Sequence, residues 1–311
     1  MSNALSLAAL AGGGKAALAT ALARIESAPE DEQTLTLLDA AYAAPRGQVV
    51  GVTGPPGVGK STLIAGLIAQ WRHEGRSVGV IAVDPSSRLS GGALLGDRTR
   101  LRTDPQDAGV FVRSMAARDK LGGLASLTVS SMVLMRALYD IVLIETVGVG
   151  QSETDVVGAA DTVVLCVQPG SGDSLQFMKA GIVEIPHIVV VTKSDLGDAA
   201  ERARGDAMAI LGLADRAPED WAVPVLSLSA LRRHGIDALA DAIAQHWQWL
   251  SAKGRLVVAR RVQAQLWLAD GLREAFGRDG LRRAGDVALG AKESPFRALA
   301  RIASALRQGH L

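Results

Sequence analysis

Nine residues, "GPPGVGKST" (54–62), restrict the fold of this chain more than any other stretch. They fit the pattern G-x-x-x-x-G-K-[ST], follow the apolar run "VVGVT" (49–53) and lead into a helix-like segment, 60–73. A strand, a glycine-rich turn and a helix in that order turn successive backbone N–H groups inward, toward phosphate oxygens. The helix adds the partial positive charge of its N-terminus. The pattern therefore predicts a nucleotide site built from Gly54, Pro55, Pro56, Gly57, Val58, Gly59, Lys60, Ser61 and Thr62. Lys60 is expected against the β- and γ-phosphates, with the Ser61 hydroxyl on Mg²⁺.

Six further apolar runs follow: "VGVIAVD" (78–84), "GVFVR" (109–113), "DIVLIE" (140–145), "DTVVLCV" (161–167), "HIVVVT" (187–192) and "VPVLSLS" (223–229). Helix-like segments at 60–73, 121–138, 174–183, 198–212 and 236–250 separate them. Near-continuous Val/Ile/Leu strands alternating with helices mean a mostly parallel sheet covered on both faces. The fold class that results is α/β, the three-layer fold of P-loop NTPases. Residues 1–44 are Ala-rich, with Leu18, Leu22 and Ile25, then Leu35, Leu37 and Leu38, near helical spacing. "PRG" (45–47) ends that pattern, and from 251 onward only helical periodicity remains. The expected division is an N-terminal helical extension (1–44), a nucleotide-binding domain (45–250) and a C-terminal helical arm (251–311). Within the arm, "RRVQAQLWLADGLREAF" (260–276) is amphipathic through Val262, Leu266, Leu268 and Leu272, a spacing expected of ordinary helix packing or of a partner-binding face.

The element "TKSD" (192–195) lies about 130 residues after the phosphate loop, at the end of an apolar run. There a Thr192-Lys193-x-Asp195 group reads guanine. The Asp195 carboxylate accepts from N1–H and the exocyclic amine, while the Lys193 stem lies over the ring. Adenine leaves those groups unpaired, which is where selectivity comes from. "SAL", Ser229-Ala230-Leu231, ends the next run and is expected to offer backbone N–H to the guanine O6. The run "DIVLIE" ends on a carboxylate, Glu145, and an acid leaving a buried strand beside a phosphate loop has one inexpensive partner, a hydrated divalent cation. "ETVG" also places the Gly148 amide where a γ-phosphate is sensed. Asp84 at the end of "VGVIAVD" and Asp97 in "GGALLGDRTR" are further metal or switch candidates, Asp84 with the alternative of capping the "DPSS" turn. Gln151 is the candidate for positioning water.

Charges nearly cancel, 33 Lys+Arg against 32 Asp+Glu, which gives no electrostatic case for nucleic acid or an anionic membrane as partner. Cys166 is the single cysteine, and no apolar run approaches the ~18 residues of a membrane span. A cytoplasmic protein is expected.

Taken in order and spacing, "GPPGVGKST", "VDPSSRLSGGALLGDRTR", "GGLASLT", "ETVGVGQSETD", "QPGSGDSLQFMKAG", "TKSD" and "SAL" resemble the MeaB/ArgK-type GTPases associated with methylmalonyl-CoA mutase, over about residues 5–290. The resemblance implies a homodimeric G-protein chaperone, dimerised through its C-terminal arm, that binds and hydrolyses GTP with Mg²⁺. Its implied partner is a B12-dependent acyl-CoA mutase, engaged at the cobalamin-binding domain, and adenosylcobalamin belongs to that partner. Gating cofactor loading and protecting the mutase are the implied tasks. The loop 168–180 resembles an additional switch, with Lys179 pairing with Asp173 or Glu145. Thr192 stands where many relatives have Asn, Arg98 where Lys is usual, and Phe177 where smaller residues are common. Two other functions are alternatives: metal delivery of the nickel-insertion type, which the scattered His73, His187, His234, His246 and His310 do not favour, and nucleotide-dependent regulation of amino-acid transport.

Overall fold

Every neighbouring pair of strands in the sheet is parallel. The computed structural model describes residues 5–85, 103–117, 126–146, 156–170, 186–213, 217, 219–285, 288–290 and 292–309. Within them lie β1 (Gln48–Thr53), β2 (Val78–Pro85), β3 (Val110–Ala117), β4 (Ile141–Glu145), β5 (Thr162–Val167), β6 (Ile188–Val191) and β7 (Val225–Ser227). Their spatial order is β3-β2-β4-β1-β5-β6-β7. The chain completes one side of the sheet with β4 and starts the other with β5, both beside β1. That reversal leaves a crevice at the carboxyl ends of the central strands.

The helices are α1 (Leu7–Ser27), α2 (Glu32–Ala43), α3 (Lys60–His73), α4 (Ser126–Leu138), α5 (Asp198–Leu211), α6 (Ile236–Ser251), α7 (Arg255–Arg283) and α8 (Pro295–Arg307). The expected segment 174–183 and residues 121–125 lie outside the described residues. Alternate strand residues go to opposite faces. Val49, Ile81, Val142, Ile144 and Val163 pack under Leu18, Leu22 and Ile25 of α1, Leu37 and Leu38 of α2, and Met132 and Met135 of α4. Val50, Val80, Leu143, Val164 and Val190 meet Leu63, Leu67 and Trp71 of α3 and Leu239 and Ile243 of α6. Burying each such side chain stabilises the fold by roughly 1.5–3 kcal/mol. The N-terminal helices are thus one of the two layers on the sheet. Among the described residues no helix is long and apolar enough to cross a membrane.

Helix α7 grips the loop that enters β5. Arg260 Nε and Nη2 donate to the two Asp161 oxygens, each at 2.8 Å, and Nη2 also to Gly47 O at 2.9 Å. Asp161 in turn accepts from Val49 N at 2.7 Å. Gln263 Nε2 donates to Ala160 O (2.9 Å) and Trp267 Nε1 to Gly158 O (2.6 Å). The Arg260–Asp161 pair is nearly buried, so desolvation offsets much of its attraction; losing one partner would still cost about 3–5 kcal/mol. Arg136 of α4 lies buried beside it, its pKa pushed down to about 10 first by burial and then by Arg260, with Asp161 pulling the other way. Helix α8 closes on α2 through Arg297, which pairs with Asp39 and Glu32, and Arg307, which pairs with Glu30 at 2.7 Å.

At the amino ends of β5 and β6, two histidines distant in sequence meet. The His187 and His246 rings lie 4.3 Å apart, with Trp221 and Trp249 against His246. His246 Nδ1 sits 2.8 Å from Thr162 Oγ1, which also accepts from Gln48 Nε2 at 2.9 Å. Burial, and secondarily His187, push the His246 pKa from 6.5 down to about 3. The unfolded chain therefore takes up this proton first. The stabilising contribution is complete above about pH 6.5 and is lost progressively as pH falls toward about 3. We expect the urea midpoint to fall between pH 7.5 and pH 5, and His246→Gln to flatten that slope. An unchanged slope in the variant would remove His246 as its source.

Candidate functional site

The phosphate loop is shaped by two glycines that no other residue replaces. Gly54 has φ 136° and lies so close to β5 that a Cβ would stand 2.3 Å from Cys166 O. Gly59, at φ 101°, precedes α3 in the left-handed region. Helices α1, α2 and α8 carry side-chain caps from Ser6, Asp31 and Ser294. At α3, as at α5, α6 and α7, no side chain caps the N-terminus, and no acid occupies the first turn of α3. Its N-terminal amides and dipole are thus left for an external anion. Lys60 is buried, and its ammonium donates to Gly54 O (2.6 Å) and Pro55 O (3.0 Å), folded onto the loop that is to hold phosphate.

Glu145 ends β4 opposite Val52 of β1 and is buried. Its Oε1 accepts from Ser61 Oγ at 2.7 Å, joining the two residues expected to share the metal. A hydroxyl and a carboxylate beside the open end of a helix form an all-oxygen donor set of the kind that holds hydrated Mg²⁺, and the fit with a magnesium nucleotide is good. One step on, Thr146 N donates to Val52 O at 3.3 Å and Thr146 Oγ1 to Thr53 Oγ1 at 3.1 Å. Cys166 is fully buried, its thiol pushed up to about 12 by burial, which makes it a packing residue. Asp84 lies within β2, its side chain outside the described set; Asp97, Gly148, Gln151, Asp173 and Lys179 lie outside the described residues altogether.

The guanine-reading candidates gather at the carboxyl ends of β6 and β7. Thr192, buried, shares its hydroxyl proton between Val58 O (2.8 Å) and Val167 O (3.1 Å), so this Thr does bind the phosphate loop to the base element. Lys193 takes a left-handed φ of 55° and donates to Gln168 Oε1 at 2.6 Å. Asp195 stands in a short 3-10 turn, Ser194–Leu196, with its Oδ1 accepting from Ser229 Oγ at 2.6 Å. That hydroxyl, first among several causes, holds the exposed Asp195 carboxyl below the usual carboxylate range. Ser229 departs from expectation. Its amide donates to His234 O at 3.0 Å in an isolated bridge, which leaves the Ala230 and Leu231 amides as the candidates for contact with a base. The serine contributes its hydroxyl to Asp195. Sequence spacing shows that 195 and 229 end adjacent strands, but nothing in it foretells that bond.

A parallel sheet with an uncapped helix after β1, an acid at the end of β4 and a candidate base-reading pair beyond β6 has the layout of a nucleotide crevice. Residues 18–279 match the family model described as "Methylmalonyl Co-A mutase-associated GTPase MeaB". The chain belongs to the MeaB family. With that membership it is a P-loop GTPase. A Pyrococcus abyssi protein named as a GTPase is 47% identical over 216 residues, 68% of this chain and 66% of that protein. The Mus musculus "Methylmalonic aciduria type A homolog, mitochondrial" is 38% identical over 273 residues, 82% of this chain and 66% of that one. The chain thus spans about two thirds of the length of both MeaB-like relatives. The crystal structure of an LAO/AO transport system kinase superposes with a TM-score of 0.70 at 30% identity, covering 97% of this chain and 96% of that one.

The base assignment has a direct consequence. Asp195→Asn replaces an acceptor by an amide that offers N–H to the guanine N1–H, so GTP affinity should fall by about a hundredfold or more while xanthosine triphosphate gains. Competition against a fluorescent nucleotide would measure both; unchanged GTP affinity would remove Asp195 from the base site.

Proposed function

We propose that this MeaB-family chain is a GTP-hydrolysing chaperone that gates cofactor loading and protects an adenosylcobalamin-dependent acyl-CoA mutase. The observation that carries the reading is the joining of three recognition elements around β1: Lys60 on the phosphate loop, Glu145 on Ser61, and Thr192 on Val58. A change at the γ-phosphate is thereby communicated to the strand ends beside it. In this reading residues 45–250 form the GTPase unit, flanked by the helices of 1–44 and the arm of 251–311.

The chemistry is in-line attack of water on the γ-phosphate. Lys60 leaves its two carbonyls for the β- and γ-phosphate oxygens, and the α3 amides share the charge that develops there. Ser61 and Glu145, with Asp84 and Asp97 as further candidates, would hold Mg²⁺, which would supply charge neutralisation at the phosphates. In this reading Gly148 senses the γ-phosphate, Gln151 orients water, and Asp173 with Lys179 forms the additional switch. Asp195 and Lys193 hold the base, with the Ala230 and Leu231 amides toward O6. Slow turnover that rises when the mutase docks is the expected behaviour. Steady-state GTP hydrolysis with and without methylmalonyl-CoA mutase tests this; fast turnover alone, indifferent to the mutase, would sink the chaperone reading.

A homodimer through the C-terminal arm belongs to the same proposal. Val258, Val262 and Leu266 follow one another at four-residue intervals along α7 and are 65%, 54% and 51% exposed. Leu268 and Leu272 instead face α8 and are buried. An exposed apolar stripe on a helix so firmly held to its own domain suits a self-complementary contact. Val262→Asp with Leu266→Asp should yield a monomer by light scattering, with nucleotide affinity kept. A wild-type mass for that variant would place the dimer contact elsewhere.

A second reading, nucleotide-dependent regulation of amino-acid transport, draws on the likeness to a solved LAO/AO transport system kinase. A guanine-reading site argues against an ATP-dependent kinase, and GTP-dependent phosphoryl transfer to added protein would discriminate between the two.

A further inference from the structure

Two threonines sit where valines would serve the core better. Thr53 closes β1 and Thr146 follows β4, and they are 1% and 2% exposed. The register Val52↔Glu145 brings them side by side one step beyond the last strand pair. A hydroxyl buried this deeply is costly without a partner, and each supplies the other's, at 3.1 Å. Valine fills the same volume without that requirement, so packing does not explain the pair.

Its position does. Thr53 is joined directly to Gly54, whose carbonyl accepts from Lys60, and Thr146 directly to Glu145, whose carboxylate accepts from Ser61. The end of β4 is therefore tied to the phosphate loop at two points, one before the loop and one after it. The second tie, Ser61 to Glu145, uses the hydroxyl that turns to the metal when a magnesium nucleotide binds. A backbone bond, Thr146 N to Val52 O at 3.3 Å, runs beside the hydroxyl pair. We propose that the Thr53–Thr146 hydroxyl pair is a latch that keeps Glu145 in register with the phosphate loop once Ser61 is committed to the metal. Both are positioning residues; neither touches the substrate. The inference rests on the reading of Ser61 and Glu145 as the metal-holding pair.

The test uses Thr53→Val, Thr146→Val, the double variant and Thr146→Ser in the full-length protein. Nucleotide affinity measured in EDTA with a fluorescent GDP should stay at the wild-type value in all four. The Mg²⁺ concentration that tightens nucleotide binding should rise about tenfold in each single valine variant, the scale seen when a partner supporting a metal ligand is removed. The double variant should be no worse than either single one, because both remove the same bond. Thr146→Ser should restore the wild-type midpoint. In GTP hydrolysis the valine variants should lose kcat with little change in KM. Urea unfolding of the double variant, in which no hydroxyl is left unpaired, guards against a folding defect. Wild-type Mg²⁺ midpoints in both single variants, or effects that add in the double, would overturn the latch. Glu145→Gln separates the two levels. If it leaves the Mg²⁺ midpoint unchanged, the metal assignment itself fails; if it shifts the midpoint and the valines do not, only the latch fails.

Discussion

A carboxylate buried at the end of a parallel strand is the constraint around which this molecule is arranged. Glu145 has left water, and a charge in that position needs hydrogen-bond donors or a cation within reach. The fold places Ser61 at 2.7 Å and the buried Lys60 on the same loop. That is possible only because β1 and β4 are neighbours in register, Val52 opposite Glu145, and because α3 starts as soon as β1 has turned. A one-residue slip would turn every side chain of β4 to the other face, sending Glu145 away from Ser61 and Ile144 out of the α1 layer. The core and the site therefore enforce the same register.

The two ends of the chain serve this arrangement from the opposite side of the sheet. Arg260, Gln263 and Trp267 share one face of α7, and all three hold the loop 156–161 as it enters β5. Asp161 accepts from Arg260 and from Val49 N of β1 together, so it fastens α7 to the strand that carries the phosphate loop. Arg136, buried beside Arg260, leaves this junction with more positive than negative charge; burial first, and Arg260 second, hold its pKa down at about 10. Such a junction favours definite geometry over raw stability. Helix α7 cannot shift along its axis without breaking hydrogen bonds beside β1 and β5, while its Val258–Val262–Leu266 stripe faces outward.

Much of this was legible in the sequence because strand and phosphate-loop signals are local. All seven apolar runs are strands, and 60–73 is a helix from first residue to last. Boundaries slipped where tertiary contacts override local pattern. The run "GVFVR" ends at an arginine, yet β3 continues to Ala117 because Arg113 finds Glu26 of α1. The run "VPVLSLS" contracts to Val225–Ser227 because Ser229 pairs instead with His234. Along α7 the period shows that an apolar face exists but not what covers it: Leu268 and Leu272 are claimed by α8, while Val262 and Leu266 stay outside. The histidine pair was illegible for the same reason. His187 and His246 belong to different elements, and only the order of strands brings them together.

Thr192 shows how base and phosphate recognition are made one unit. An asparagine there would bring two N–H donors on a longer side chain, whereas threonine has one proton. That proton is divided between Val58 O in the phosphate loop and Val167 O at the end of β5. Both acceptors are backbone carbonyls, one in the phosphate loop and one at the end of β5, and the hydroxyl is buried, so water does not compete for it. A single bond in that setting still holds a definite geometry, because leaving the buried hydroxyl unsatisfied costs more than the bond itself returns. Asp195 is then fixed from both directions, by Thr192 through the backbone and by Ser229 through its hydroxyl. The distance from that carboxylate to the phosphate loop is set by parallel strands rather than by flexible side chains. In the proposed function, unpaired groups as much as good contacts would then select the guanine nucleotide.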